Sequence, residues 1–292
     1  MRRREFLAAA ALVPALAAGA PAARFERGLL WRVEREGVAP SHVYGTLHAE
    51  DPELQSLPPA VLRAFDGAHA LMLEYVASAY GRERFLEAAL YEDGRTLEQA
   101  IGEEDFERAV RALAPIGVSR DFVRRVKPWG VLLNLRISRR PGGGRIPDAQ
   151  LYAMARERRI PVSQIENVEE QVFTFDEMSA DAQVGLLHHF LTHVEALDAL
   201  AERSLRAYLA RDLRGLWDAQ QDYAREHPEI APFYAEMVKR VVLDRSVVMA
   251  FRMQRELRHG RAFVALGALH LYGEKGVLAL LAEDGYAARR VY

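Results

Sequence analysis

The chain contains no cysteine. That absence excludes disulfide frameworks, cysteine zinc sites, iron–sulfur ligation and thiol nucleophiles together. Any metal must be held by His, Asp, Glu or main-chain oxygen. A charge excess of one sign is also lacking: 39 Lys and Arg stand against 41 Asp and Glu, a net charge of −2 over 292 residues. That balance argues against nucleic acid as a partner, because neutralising phosphates needs a concentrated basic surface. Beyond the N-terminus no segment is long and apolar enough to span a bilayer, and there is no solenoid-length repeat and no low-complexity tail. What is present is 50% hydrophobic sequence, ample for a full core.

Residues 1–23 read as an export signal. Met1-Arg2-Arg3-Arg4-Glu5-Phe6-Leu7 leads into the Ala-rich stretch Ala8 to Ala23, with small-x-small cleavage options at Ala15-Leu16-Ala17 and Ala20-Pro21-Ala22. Arg3-Arg4-Glu5-Phe6-Leu7 is similar to the twin-arginine export address. The expectation is a periplasmic or otherwise extracytoplasmic protein with no stable membrane anchor after cleavage, whose residues 24–292 form one domain.

Four short apolar runs interrupt a helical pattern: His42–Leu47, Ala70–Leu73, Pro161–Ile165 and Ala262–Leu266. Leu29–Arg35 precedes the first with a turn over Gly37 to Ser41, a hairpin signature. Between the first and second runs, Leu57–Phe65 has helical apolar spacing behind a Pro pair, so strand–helix–strand predicts a βαβ unit with a parallel pair. A helix over Asp148 to Arg158 leads into the third run. Val277 to Glu283 reads as a helix capped by Gly285, with a final strand in Tyr286 to Tyr292. Helical periodicity over about 78–140 and 176–258 marks insertions, and Pro141-Gly142-Gly143-Gly144-Arg145 reads as a flexible loop. The fold class is therefore α/β: a mixed central sheet with flanking helices and helical insertions forming a cleft at the strand ends.

Each apolar run ends in a residue capable of metal or acid–base chemistry: His48, Glu74, Glu166 and His270. Ligands of open α/β sheets bind beyond the carboxyl ends of the strands, so these four can converge. The two histidines share a pattern, Gly45-Thr46-Leu47-His48 and Gly267-Ala268-Leu269-His270, whose glycines permit a bend or a close approach. Two imidazoles with one or two carboxylates suit a borderline divalent ion, Zn, Mn, Co or Fe, with a position left for water. Such an ion supports amide or ester hydrolysis.

On these residues the sequence resembles the TraB/GumN family, which is related to the Tiki metalloproteases and more remotely to the erythromycin-esterase and ChaN-like folds. The likeness runs through Gly28–Val33, His42–His48, Leu57–Val61, Leu73-Glu74, Lys127-Pro128-Trp129, Asp148 with Leu151, Ile165-Glu166, Glu170-Gln171, Gly267–Gly276 and Gly285-Tyr286. The resemblance implies that His48, His270 and Glu74 are the metal and catalytic residues. An Arg–Asn pair is usual in the helix before the last motif; here it is Arg245-Ser246, so the Arg role carries over.

The resulting expectation is an exported metal-dependent hydrolase acting on a peptide or small molecule. Glu74 would be a third ligand or the base that activates water, Arg245 an oxyanion or substrate contact, and Glu166 support for the ligands. A peptide-sequestering protein and a haem- or iron-binding protein are the rival classes on this fold. Asp148 reads as a helix N-cap or as support for the site. His188, His189 and His193 lack the H-E-x-x-H order and read as a polar helix face. Lys127-Pro128-Trp129-Gly130 reads as a helix break with a buried Trp, and Ser41 and Ser163 lack a nucleophile-elbow context.

Overall fold

The structure, a computed structural model, describes residues 24–48, 51–139 and 146–292, with the side chains of 136–139 left out. The export-signal reading of residues 1–23 and the loop at 141–145 lie outside the described residues.

A hairpin opens the fold, β1 (Leu30–Arg35) and β2 (Val38–Thr46), followed by α1 (Pro59–Asp66) and β3 (Ala70–Leu73). Helices α2 to α6 follow (Ala79–Ala88, Leu97–Ile101, Glu103–Leu113, Arg120–Arg125 and Pro128–Arg139), then α7 (Pro147–Glu157) and β4 (Val162–Gln164). Next come α8 to α13 (Val168–Asp176, Ala180–Thr192, Val194–Leu209, Leu213–Glu226, Ala231–Val238 and Arg245–His259), then β5 (Ala262–Gly267), α14 (Val277–Glu283) and β6 (Ala287–Arg290). Sequence cues account for several boundaries. Pro59 and Pro147 sit at first helical positions, where a missing N–H costs nothing. Asn167 and Glu170 close a capping box on α8. Gly260 ends α13 at φ +77°, where a Cβ would lie 2.6 Å from the Ala39 carbonyl oxygen.

The six strands form one mixed sheet in the order β4-β3-β5-β2-β1-β6. β4, β3, β5 and β2 run parallel, whereas β1 is antiparallel to both β2 and β6. Two expectations are corrected here. β2 and β3 are parallel but do not pair; β5, from the far end of the chain, lies between them. β4 is a three-residue, largely exposed edge rather than the buried strand that an apolar run predicts. β5 is central and buried along nearly its whole length, matching its unbroken apolar run.

Two apolar cores result. The first lies around the sheet: Phe65 of α1 meets Phe263 of β5 edge to face at 5.4 Å, with Leu151, Met253 and Leu278 in the same cluster. The second is purely helical, built on Phe106, Leu186, Leu187 and Tyr223. Trp129 is fully buried at the start of α6, stacking on Phe175 and edge-on to Phe85. No helix of the described residues is long and apolar enough to cross a membrane.

Candidate metal centre at the strand ends

The parallel strands deliver their chemistry to one edge. His48 follows β2, Glu74 follows β3, Glu166 follows β4, and His270 closes a short 3-10 turn after β5. The sheet register sets Thr46 beside Gly267, and Leu73 beside both Ala265 and Gln164, so these ends are level.

Glu74 is buried and uses both oxygens. Oε1 receives an Arg245 Nη2 hydrogen, and Oε2 accepts the Gly267 N–H at 3.1 Å. Arg245 lies between two carboxylates: its Nε and Nη2 reach Glu166 at 2.6–3.1 Å, and its Nη1 donates to the Val241 carbonyl at 3.1 Å. Burial by itself would raise the Glu74 carboxyl, but His270, Arg245 and His48 together lower it to about 2. Burial would lower Arg245, yet Glu74 and Glu166 keep it above the usual guanidinium value. Both groups are therefore charged at neutral pH.

His270 is buried, and its hydrogen bonds define its tautomer. Nδ1 lies 2.9 Å from Ser246 Oγ and 3.2 Å from the Val242 carbonyl oxygen. Ser246 Oγ itself donates to that carbonyl at 2.7 Å, so both neighbours accept and Nδ1 carries the hydrogen. A π-helical turn, Lys239–Asp244, runs between α12 and α13 and ends where Arg245 and Ser246 begin. Its irregular hydrogen bonding turns the Val241 and Val242 carbonyls to these side chains. The other nitrogen of His270, Nε2, faces Glu74 Oε2 at 3.9 Å. Burial lowers the imidazole to about 4 despite the pull of Glu74, leaving Nε2 as a lone pair opposite an anion.

At the rim, the half-exposed His48 pairs through Nε2 with Asp148 Oδ2 at 3.4 Å. Burial would lower this imidazole, but the Asp148 hydrogen bond and charge, with Glu74 behind, raise it to about 9. Asp148 does not cap its helix. The position before α7 is Ile146, and Asp148 sits buried in the first turn with Oδ2 unsatisfied by any hydrogen bond of good geometry. A cavity of about 460 Å³ opens on the Glu166 and Arg245 side, lined also by Phe173, Arg240, Val248 and Arg252.

The motif glycines have separate tasks. A Cβ on Gly45 would stand 2.6 Å from Leu271 Cδ1 and 3.1 Å from Ala268, so the first motif makes room for the second. A Cβ on Gly267 would press on His270 Cδ2 at 3.3 Å and stand 3.6 Å from Glu74 Oε2.

A model of the TraB/PrgY/gumN family matches residues 29–290, which include all of these strand ends. The chain belongs to that family. Two relatives, both named "Uncharacterized protein YbaP", come from Shigella flexneri (24% identity over 245 residues) and Escherichia coli strain K12 (23% over 244). Each alignment covers 82% of this chain and 87% of the relative. No solved structure matches the chain. Within this TraB-family chain, the Arg of the Arg-Ser pair clamps two carboxylates and the Ser orients His270, a division of labour the sequence did not reveal.

The polar-face reading of His188, His189 and His193 is corrected by half. His188 does face outward, its Nδ1 2.6 Å from Asp105 Oδ2. His189 is 1% exposed and packs against Tyr223 and His227 in the helical core. Burial, then His193 and His227, lower its imidazole to about 4. Sequence reasoning missed His227 and Glu229 as its neighbours; the available signal was a His two residues before a Glu, beside Pro228, in the break between two helices.

Proposed function

We propose that this protein is an exported hydrolase dependent on a divalent metal, with peptide bonds as its substrate class. One observation carries the reading: His270, its proton on Nδ1, turns the Nε2 lone pair to the ionised Glu74 carboxylate at 3.9 Å. Two electron-rich atoms in that relation call for a cation, and an imidazole with a carboxylate is a fitting donor set for Zn, Mn, Co or Fe. The orphaned Oδ2 of Asp148 behind His48 is the carboxylate support that ligand imidazoles ordinarily have.

His48, His270 and Glu74 would hold the ion. When bound, it supplies Lewis acidity, polarising a scissile carbonyl and making water more acidic. Glu74, ionised at neutral pH, would serve as third ligand or as the base beside the bound water. Ser246 and the Val242 carbonyl keep the proton of His270 on Nδ1, and Asp148 Oδ2 stands 3.4 Å behind His48 Nε2. Arg245 acts first by positioning, since Glu74, Glu166 and Val241 take most of its N–H groups; the remaining Nη1 hydrogen is the one available to a substrate oxygen. The cavity lined by Phe173, Val248 and Arg252 adjoins Glu166 and Arg245 and would take a flanking part of a peptide. Export rests on the Arg3-Arg4 signal and the Ala-rich stretch behind it.

The test is metal content by mass spectrometry of protein purified without chelator, beside a His48→Ala, His270→Ala variant, followed by turnover of a peptide library. Near-stoichiometric metal that the variant loses, with turnover lost alongside, is the expected result. Absence of uptake of Mn, Co or Zn, together with no turnover, overturns the reading.

A further inference from the structure

The helical core contains a second group of donors, remote in sequence from the strand ends. Among the described residues, His189, His227 and Glu229 bring one ligand atom each to within 4.8 Å of one another. His189 Nδ1 lies 3.2 Å and His227 Nδ1 3.5 Å from the same Glu229 oxygen. Two ligands of a tetrahedral zinc ion with bonds of about 2.0–2.1 Å stand roughly 3.3 Å apart. Both imidazole-to-carboxylate separations therefore fit a shared cation.

Three further observations point to a ligand. His189 Nδ1 is buried and has no hydrogen-bond partner, because the Glu229 oxygen, though near, is out of line with it. An orphaned buried nitrogen beside a carboxylate is costly unless something binds both. The opposite nitrogen of His189, Nε2, is bonded to Tyr223 Oη at 2.9 Å, which fixes the ring as an outer hydrogen bond fixes a ligand imidazole. Finally, His193 and His227 are the C-caps of α9 and α11, so the site sits where the chain leaves two helices, His193 also capping the start of α10.

We propose that His189, His227 and Glu229 form a second metal site, distinct from the strand-end centre, which takes a borderline divalent cation such as Zn²⁺ and fastens the end of α9 to the turn between α11 and α12. His227 is partly exposed and Glu229 half-exposed, so a cation reaches the site from solvent. With only three protein donors, a fourth position is left to water. His193 stacks on His189 at 4.4 Å between ring centroids and closes the other side. The cation joins a helix of the second core to the turn that begins α12, whose continuation carries Arg245.

The experiment uses the full chain with the strand-end centre disabled by His48→Ala and His270→Ala, treated with chelator and titrated with Zn²⁺ by calorimetry. One equivalent should bind, with a rise in melting temperature. Adding His227→Ala or Glu229→Gln should weaken binding at least tenfold, and Tyr223→Phe should weaken it about 10- to 100-fold. Glu229→Gln in the otherwise wild-type chain provides a second arm, because its exposed side chain can change without disturbing the core. There the high-affinity stoichiometry should fall by one equivalent. Absence of Zn²⁺ binding in the disabled chain, or binding indifferent to both His227→Ala and Glu229→Gln, overturns the proposal whatever the strand-end centre does.

Discussion

His270 and Glu74 face each other across 3.9 Å, imidazole Nε2 to carboxylate Oε2, while Ser246 and the Val242 carbonyl hold the far side of the ring. Ser246→Ala removes one of the two groups that keep the proton on Nδ1. The expected outcome is about a 10- to 100-fold loss of metal affinity at the strand ends with the fold intact. Calorimetric titration beside circular dichroism checks it, and unchanged affinity would falsify the orienting role of Ser246.

Arg245 forms ion pairs with both Glu166 and Glu74 and holds the two buried carboxylates together. Arg245→Met leaves two carboxylates, 8% and 4% exposed, side by side. Breaking such a buried pair costs about 3–5 kcal/mol. Arg245→Lys should recover only part of that, since a point charge cannot replace a planar fork between two acids. Urea denaturation at neutral pH measures both; a loss for Arg245→Met inside the ordinary surface range of about 0.5 kcal/mol contradicts the assignment.

The stability of the chelator-treated chain should depend on pH on both sides of neutrality. His270 is lowered from 6.5 to about 4, so its contribution is present above pH 6.5 and is lost as the pH falls toward 4. Glu74, lowered from 4.5 to about 2, adds a contribution that is present above 4.5 and lost toward 2. His48 has the opposite sign: raised from 6.5 to about 9, it stabilises fully below 6.5 and loses that contribution as the pH climbs toward 9. Melting temperatures across this range should peak near pH 6.5. His48→Ala should flatten the alkaline limb while leaving the acid limb in place, and an unaltered alkaline limb refutes the His48–Asp148 pairing.

Gly45 is where the two histidine motifs meet. Gly45→Ala places a methyl 2.6 Å from Leu271 Cδ1 and 3.1 Å from Ala268, backed by the buried β5 strand. Overpacking of this kind costs about 1–3 kcal/mol. Equilibrium denaturation should show that loss, and because the displaced residues adjoin His270, metal affinity should fall with it. A variant as stable as the parent rules out the tight approach.

What the sequence determined by itself was the alternation of apolar runs with helical spacing, and the residues at the ends of those runs. His48, Glu74, Glu166 and His270 were legible because a parallel strand delivers its next residues to one edge of the sheet, whatever the order of the strands. Arg245 was legible only through family resemblance, as no local pattern distinguishes it from other helical arginines. Tertiary structure alone decided that β5 inserts between β2 and β3, since strand order depends on packing of segments far apart in the chain. It also decided that Ser246 and a π-turn carbonyl select the tautomer of His270, which depends on a helix approaching across the sheet. The burial of His189 against His227 and Glu229 was equally hidden, because its periodicity is that of any amphipathic helix. Periodicity records which face of an element is apolar; only packing records what that face meets.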